Sequence, residues 1–263
     1  VNVTPDSFSD GGRYHTVDAA LAHCETLLEQ GADVLDIGGE STRPGAHPVA
    51  ARDELDRILP VVRGALARWP NALISVDTVK AEVARTALAE GAAIINDVSG
   101  LRLDPGLAPV VARHEAGLVI MHSRGAVDQM ARYETATYGA DAVAEIKLEL
   151  ANMLTRARSA GVQNERIVLD PGIGFSKRTG DSVAVLARLP EICALGCPVL
   201  IGPSRKRFIG ELTGELPADQ RLEGTMAACV AGLLGGARIF RVHDVQPVRR
   251  ALLVAEAIRK AQL

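Results

Sequence analysis

Asp77, Asn96 and Asp170 stand far apart in the chain, yet each closes a short run of apolar or β-branched residues. Together they offer carboxylate and amide groups, which suit a flat heterocycle with several N–H donors. A buried carboxylate must be paired, and an amino-pyrimidine edge is a natural partner for it. A second set is basic: Arg205, Lys206, Arg241 and His243. Positive charge there suits an anionic leaving group such as a diphosphate. Asn2 adds a neutral oxygen ligand, plausible for a Mg2+ ion that takes few protein ligands beside phosphate oxygens and water. Two glycine-containing segments, residues 6–12 and 38–45, give backbone that could close over a substrate.

The elements that must position these groups repeat along the chain. Short β-branched runs at 1–3, 34–37, 73–76, 93–95, 118–121, 167–169, 199–201 and 239–242 predict eight strands. Several are nearly all apolar, as expected of strands covered on both faces in a parallel sheet. Ala-rich stretches with helical periodicity lie between them, at 18–30, 80–90, 141–160 and 224–234 among others, and glycine follows each of these four: Gly31, Gly91, Gly161 and Gly235-Gly236. Strand, helix, glycine, over and over, is the grammar of a parallel α/β architecture. Eight such units favour a TIM (β/α)8 barrel as one domain over residues 1–263. In that fold every strand delivers its last residues to one face, where the active site is built. Residue 1 is Val and the chain opens directly into Asn2, so the first strand is expected to lack a few residues here.

Composition narrows the function classes. Of 263 residues, 48% are hydrophobic and 23% charged, enough for a large core and against disorder. The formal net charge is −3 and aromatics are 3%, which speaks against nucleic acid as a partner. The longest uncharged apolar stretch, residues 226–237, is short of the roughly 20 residues that span a bilayer. No membrane association is expected. Cys24, Cys193, Cys197 and Cys229 match no zinc spacing and read as free thiols, which fits a cytoplasmic location.

Each of these residues also has a plainer reading. Asp77 could cap the helix beginning near Lys80. Asp170, before Pro171-Gly172, could make a turn, and so could Asn96-Asp97. Lys206 lies in an Arg-Lys-Arg run that could be solvated, and for Arg207 that reading is the better one. His122 either supports its loop or joins the site. Phe8 and Phe175 could be packing residues.

Longer blocks carry a resemblance. Asn2-Val3-Thr4-Pro5-Asp6-Ser7-Phe8-Ser9-Asp10-Gly11-Gly12 and Asp36-Ile37-Gly38-Gly39-Glu40-Ser41-Thr42-Arg43-Pro44-Gly45 resemble the two signatures of the dihydropteroate synthases. Ser75-Val76-Asp77-Thr78, Ile95-Asn96-Asp97-Val98, Asp170-Pro171-Gly172-Ile173-Gly174-Phe175, Ser204-Arg205-Lys206-Arg207-Phe208-Ile209-Gly210 and Arg241-Val242-His243-Asp244-Val245 agree as well, in order along the whole chain. The resemblance implies a transferase of folate biosynthesis that condenses a pterin methyl diphosphate with 4-aminobenzoate. It implies a pterin pocket of Asp77, Asn96, Asp170, Lys206 and Arg241, with Asp77, Lys206 and Arg241 serving catalysis. Asn2, Thr42, Arg241 and His243 would meet the diphosphate, and Asn2 its Mg2+. Phe8, Thr42, Pro44, Phe175 and Ser204 would line the 4-aminobenzoate site, where sulfonamides would bind. A homodimer is expected on the same ground. After Phe175 the chain reads Ser176-Lys177-Arg178-Thr179-Gly180-Asp181-Ser182, which departs from the Gly-Lys-Thr form common in the family.

Three rival readings share some of these features. A pterin-dependent methyltransferase would keep the carboxylate and amide residues but should lack the Ser204-Arg205-Lys206 block and the Thr42-Arg43-Pro44-Gly45 loop. A non-catalytic pterin-binding paralogue should have lost some of Asn2, Thr42, Asp77, Lys206, Arg241 and His243, all of which are intact. A Schiff-base aldolase would need a desolvated Lys206 of low pKa, whereas that lysine lies between two arginines.

Overall fold

A computed structural model describes residues 1–4, 13–41 and 48–261, with residues 13–16 described by their backbone alone. Phe8, Thr42 and Pro44 therefore lie outside the described residues, as do residues 6–12 and 42–45. The chain divides into two compact units, Val1–Ile120 with Met153–Ile167, and Met121–Asn152 with Val168–Leu263.

The first unit holds a parallel sheet in sequence order: β1 (Val34–Gly38), β2 (Leu73–Asp77), β3 (Ile94–Asp97) and β4 (Gly117–Met121). The predicted first strand is present as a single parallel bridge, Asn2 to Gly38, with Val3 N–H donating to the Gly38 carbonyl at 2.8 Å. Helices α1 (Arg13–Glu29), α2 (Ala51–Arg68), α3 (Ala81–Ala89) and α4 (Leu107–Arg113) pack in succession, each against the next. The core is aliphatic, as composition required. Ile37, Ile74, Val76, Ile95 and Leu118 on the strands, and Ile58, Val61, Val83 and Leu107 on the helices, are fully buried. A side chain of that kind contributes roughly 1.5–3 kcal/mol on burial.

The predicted stop glycines end their helices by one device. Gly31, Gly91, Gly161 and Gly236 all have positive φ, between 93° and 107°. The residue after each donates back to a carbonyl five positions earlier: Ala32 to Leu27, Ala92 to Ala87, Val162 to Ala157 and Ala237 to Gly232. That is the Schellman closure, and it needs a residue tolerant of the left-handed region.

The second unit begins where β4 ends. His122 N–H donates to the Asp170 carbonyl at 2.8 Å, at the end of β5 (Ile167–Asp170). Leu169 bridges Val199, and β6 (Leu200–Ile201) pairs in parallel with β7 (Ile239–Phe240). Strands β6 and β7 are shorter than predicted: Val199 belongs to the bridge with Leu169, and β7 ends before Arg241. Helix α5 (Ala142–Ser159) begins in this unit and ends in the first. Further along come α6 (Thr179–Ala187), α7 (Leu189–Cys193), α8 (Arg207–Leu212), α9 (Leu222–Leu234) and α10 (Val245–Lys260), of which α9 and α10 pack together. Among the described residues no helix is long and apolar enough to cross a membrane.

Candidate active site

Parallel register sets the first group of site residues. Asn2 pairs with Gly38, Gly38 with Asp77 and Asp77 with Asn96, giving one row across the bridge and three strands. Paired residues in a parallel sheet point to the same face, so Asp77 and Asn96 present carboxylate and amide side by side. The Asn96 amide nitrogen also donates to Asp36 Oδ2 at 3.3 Å. Gly38 keeps the row tight, because a Cβ there would stand 3.3 Å from the Asp77 Cβ.

The plainer readings divide cleanly here. Asp97, fully buried beside Asn96, accepts from Ser99 N–H at 2.8 Å, Ser99 Oγ at 2.7 Å and Leu101 N–H at 2.6 Å. It is a turn residue, while Asn96 is not. The N-cap position of α3 is Lys80 rather than Asp77, and the first helical N–H, that of Ala81, donates to Asp104 Oδ2 at 2.7 Å. Near the same strand ends, Lys80 Nζ bridges Glu40 at 2.7 Å and the wholly buried Glu54 at 2.6 Å. Burial opposes the Lys80 charge, but the two carboxylates outweigh it and raise its pKa. Glu40 accepts the Val49 N–H at 2.7 Å as well.

The second unit brings together Asp170, Phe175, Ser204, Lys206, Arg241 and His243. Asp170 ends β5 and accepts the Gly172 N–H at 2.7 Å, so its turn reading holds in part. The same carboxylate is buried, and burial pushes it up to about 6 against the pull of that N–H and of Lys177, Lys206 and Arg241. A turn alone requires no such convergence of cations. Lys206 Nζ sits 3.5 Å from the centroid of the Phe175 ring, a cation–π contact. Gly174, with φ of 74°, allows the approach, since a Cβ would fall 3.0 Å from Lys206 Cδ.

Ser204 and His243 form a couple. Ser204 Oγ accepts the His243 backbone N–H at 3.2 Å and lies 2.9 Å from His243 Nδ1. Burial first, then Arg205 and Arg241, lowers the imidazole pKa to about 4. His243 is therefore neutral at pH 7. In the tautomer that carries its hydrogen on Nε2, the Ser204 hydroxyl donates to Nδ1 and the Nε2–H is a neutral donor. This corrects the expectation that His243 supplies positive charge. Arg205 keeps its charge, but its guanidinium forks onto Asp244 at 2.6 and 3.0 Å. Arg207 lies over the Tyr133 ring at 3.3 Å and is more than half exposed, which is the plainer reading made for it.

His122 is a structural residue, wholly buried, with Nε2 3.0 Å from Glu149 Oε2 and Nδ1 2.9 Å from Lys177 Nζ. Burial, then Lys177, lowers its pKa to about 4. Arg124 bonds both Glu145 and Glu149 and stacks on Tyr138 at 4.1 Å. Sequence reading missed Lys177, Glu149, Arg124, Asp36 and the Lys80–Glu54 pair. Asp36 opens the block that runs on to Gly45 and was findable there. Nothing in the spacing of the others distinguishes a buried charge from a solvated one.

As for Mg2+, Asn2 is exposed at its strand end. Its amide oxygen is the hard, neutral donor that Mg2+ accepts beside phosphate and water. Among the described residues no group of three His, Cys, Asp or Glu could hold a metal. An ion that arrives with a diphosphate fits this donor set.

Residues 1–243 match the family described as pterin binding enzyme, a span that runs through both compact units. The chain is 42% identical over 258 residues to the dihydropteroate synthase of Synechocystis sp., covering 98% of this chain and 88% of that one. The dihydropteroate synthase of Xanthomonas albilineans with 4-aminobenzoic acid superimposes with a TM-score of 0.91 at 48% identity, covering 98% of this chain and 91% of that one. The Yersinia pestis enzyme in a sulfonamide drug complex gives 0.90 at 39% identity, over 98% and 92%. The fold class is thus α/β, that of the (β/α)8 barrels, as the strand–helix alternation predicts. The chain belongs to the pterin-binding enzyme family, among its dihydropteroate synthases.

Proposed function

We propose that this chain, working as one domain over residues 1–263, condenses (7,8-dihydropterin-6-yl)methyl diphosphate with 4-aminobenzoate to give 7,8-dihydropteroate and diphosphate in folate biosynthesis. The observation that carries the reading is the register of Asp77 beside Asn96 on β2 and β3. Asp77, Asn96, Asp170 and Lys206 hold the pterin, and Arg241 packs on its ring. Asn2, Thr42, Arg241 and His243 hold the diphosphate. Phe8, Thr42, Pro44, Phe175 and Ser204 line the 4-aminobenzoate site, where a sulfonamide competes.

The chemistry is set by charge. The bond between the pterin methylene and the diphosphate oxygen breaks, and its electron pair leaves with the diphosphate. The resulting cation is delocalised over the pterin. The arylamine nitrogen attacks the methylene and then loses a proton. Two charges must be stabilised together, and preorganised groups do this best. The Asp77 carboxylate favours the cation, while Arg241 and the neutral His243 N–H meet the leaving group. Asn2 would hold a Mg2+ ion, which when bound would supply further charge neutralisation to the diphosphate. No side chain serves as a nucleophile.

A homodimer accords with the exposed apolar residues Leu253, Val254 and Ile258 on α10, and sedimentation velocity tests it. A cytoplasmic location accords with four free thiols. The decisive assay incubates purified protein with Mg2+ and both substrates and measures pyrophosphate and dihydropteroate. Turnover is expected, and its absence in folded protein rejects the activity. Asp77→Asn and Lys206→Ala should each cost roughly a hundredfold or more in kcat/KM while circular dichroism stays unchanged. A near-normal rate removes that residue from its role.

A further inference from the structure

We infer that Lys177 is a positioning residue for this reaction: its buried amine ties the loop after β5 to the end of β4, and its charge acts on Asp170. The inference rests on the assignment of Asp170 to the pterin and Phe175 to 4-aminobenzoate. Lys177 is only 1% exposed and is the bulkiest of the fully buried side chains among the described residues. Its Nζ lies 2.9 Å from His122 Nδ1, 3.0 Å from the Phe175 carbonyl and 3.5 Å from the His122 carbonyl. Glu149, 3.0 Å from His122 Nε2, accepts the Nε2 proton and so makes Nδ1 an acceptor. Three acceptors around one amine match the three donors of an ammonium.

Backbone closes the other side of the same knot. His122 N–H donates to the Asp170 carbonyl, and Gly172 turns directly over the His122 carbonyl. A Cβ on Gly172 would stand 2.0 Å from that oxygen and 3.4 Å from Lys177 Nζ. The amine thus touches the segment after β5, which carries both Asp170 and Phe175, and His122, whose N–H is bonded to the Asp170 carbonyl. If packing were its whole task, an apolar side chain of equal length would serve at lower cost, since burying an ammonium is expensive. A long-range role for the charge accounts for that expense. Lys177, Lys206 and Arg241 all favour the ionised Asp170 against its burial. Burial lowers the pKa of Lys177 itself to about 7, with Asp170, Glu149 and Asp181 favouring its charge and Arg124 opposing it. The neutral imidazole of His122 completes the set of titratable groups around it.

The test compares full-length Lys177→Met, Lys177→Gln and Asp170→Asn with the parent chain. In Lys177→Met we expect an intact near-UV spectrum and a KM about tenfold higher for both substrates, with kcat little changed. The acid limb of kcat/KM for the pterin substrate should move up by about one pH unit, because Asp170 loses a favourable charge. Lys177→Gln keeps donors without the charge. It should show the same acid shift with a smaller rise in KM, and it carries the test alone if the methionine variant does not fold. An acid limb that stays in place in a folded variant overturns the inference. Asp170→Asn separates the two readings. If it leaves the KM for the pterin substrate unchanged, the pterin assignment of Asp170 fails and the inference falls with it. If it abolishes pterin binding while both Lys177 variants behave as the parent, only the inference fails.

Discussion

Ser204 and His243 show how one hydroxyl fixes the chemistry of a ring. A neutral imidazole has one donor and one acceptor, and in the Nε2–H tautomer the Ser204 hydroxyl fills the acceptor at Nδ1. The remaining N–H is oriented at no cost in charge, which matters because Arg205 and Arg241 already disfavour a cation there. We expect Ser204→Ala to free the tautomer and lower kcat/KM about fivefold, the equivalent of one neutral hydrogen bond. Steady-state kinetics over pH 6–9 checks this, and an unchanged value means that His243 is oriented by something else. Gly174 offers a second test at the same scale. A methyl group there meets Lys206 at 3.0 Å on backbone of positive φ. Gly174→Ala should therefore cost about 1 kcal/mol or more in stability and displace Lys206 from the Phe175 ring. Urea unfolding measures the first effect and the KM for the pterin substrate the second.

Strands and helices in this chain are joined by charges as well as by apolar packing. Lys80 lies at the N-cap of α3, Glu54 in the first turn of α2, and Glu40 shortly after β1. Glu54 is wholly buried, and burial raises its pKa despite the Lys80 partner. Removing one member of such a pair leaves an uncompensated buried charge, which typically costs ~3–5 kcal/mol. Lys80→Met should destabilise by that order. Adding Glu54→Gln should recover part of the loss, giving a coupling that a double-mutant cycle in urea would measure. Strictly additive losses would show that the pair does not act as a unit. The bond from Val49 N–H to Glu40 gives the triad a further consequence, since it joins backbone on the two sides of residues 41–48. Lys80→Met should therefore also raise the KM for 4-aminobenzoate.

Across the whole molecule, buried imidazoles set the acid limit of stability. His122 and His243 both titrate near 4 in the folded chain, against 6.5 for the ordinary side chain. Between those values the unfolded chain binds more protons, so stability falls as the pH falls. Each ring contributes on the order of 3 kcal/mol over that window. Asp170 acts in the opposite sense. Its carboxyl is raised from 3.8 to about 6, so between those values the folded chain holds the extra proton, and burial raises the carboxyls of Glu54 and Asp97 in the same sense. The net expectation is a urea midpoint that declines steadily from pH 7 to pH 5 with a constant slope. A flat midpoint over that range contradicts the burial of these rings as described.

By itself the sequence determined the features that local rules dictate. Strand runs, the four helix-stopping glycines and the polar residues at strand ends are written in short spans, because backbone sterics and side-chain period act over a few residues. Asp77 and Asn96 could be nominated for the same reason, and the long motif blocks carried the family. Tertiary structure alone decided which charges are buried and who partners them. Lys177, in a run of polar residues, looks solvated until His122 and the Phe175 carbonyl surround it. Arg205 looks available until Asp244 occupies it, and His243 looks cationic until burial discharges it. Desolvation and pairing depend on what the rest of the chain brings within a few ångströms, and no local pattern encodes that.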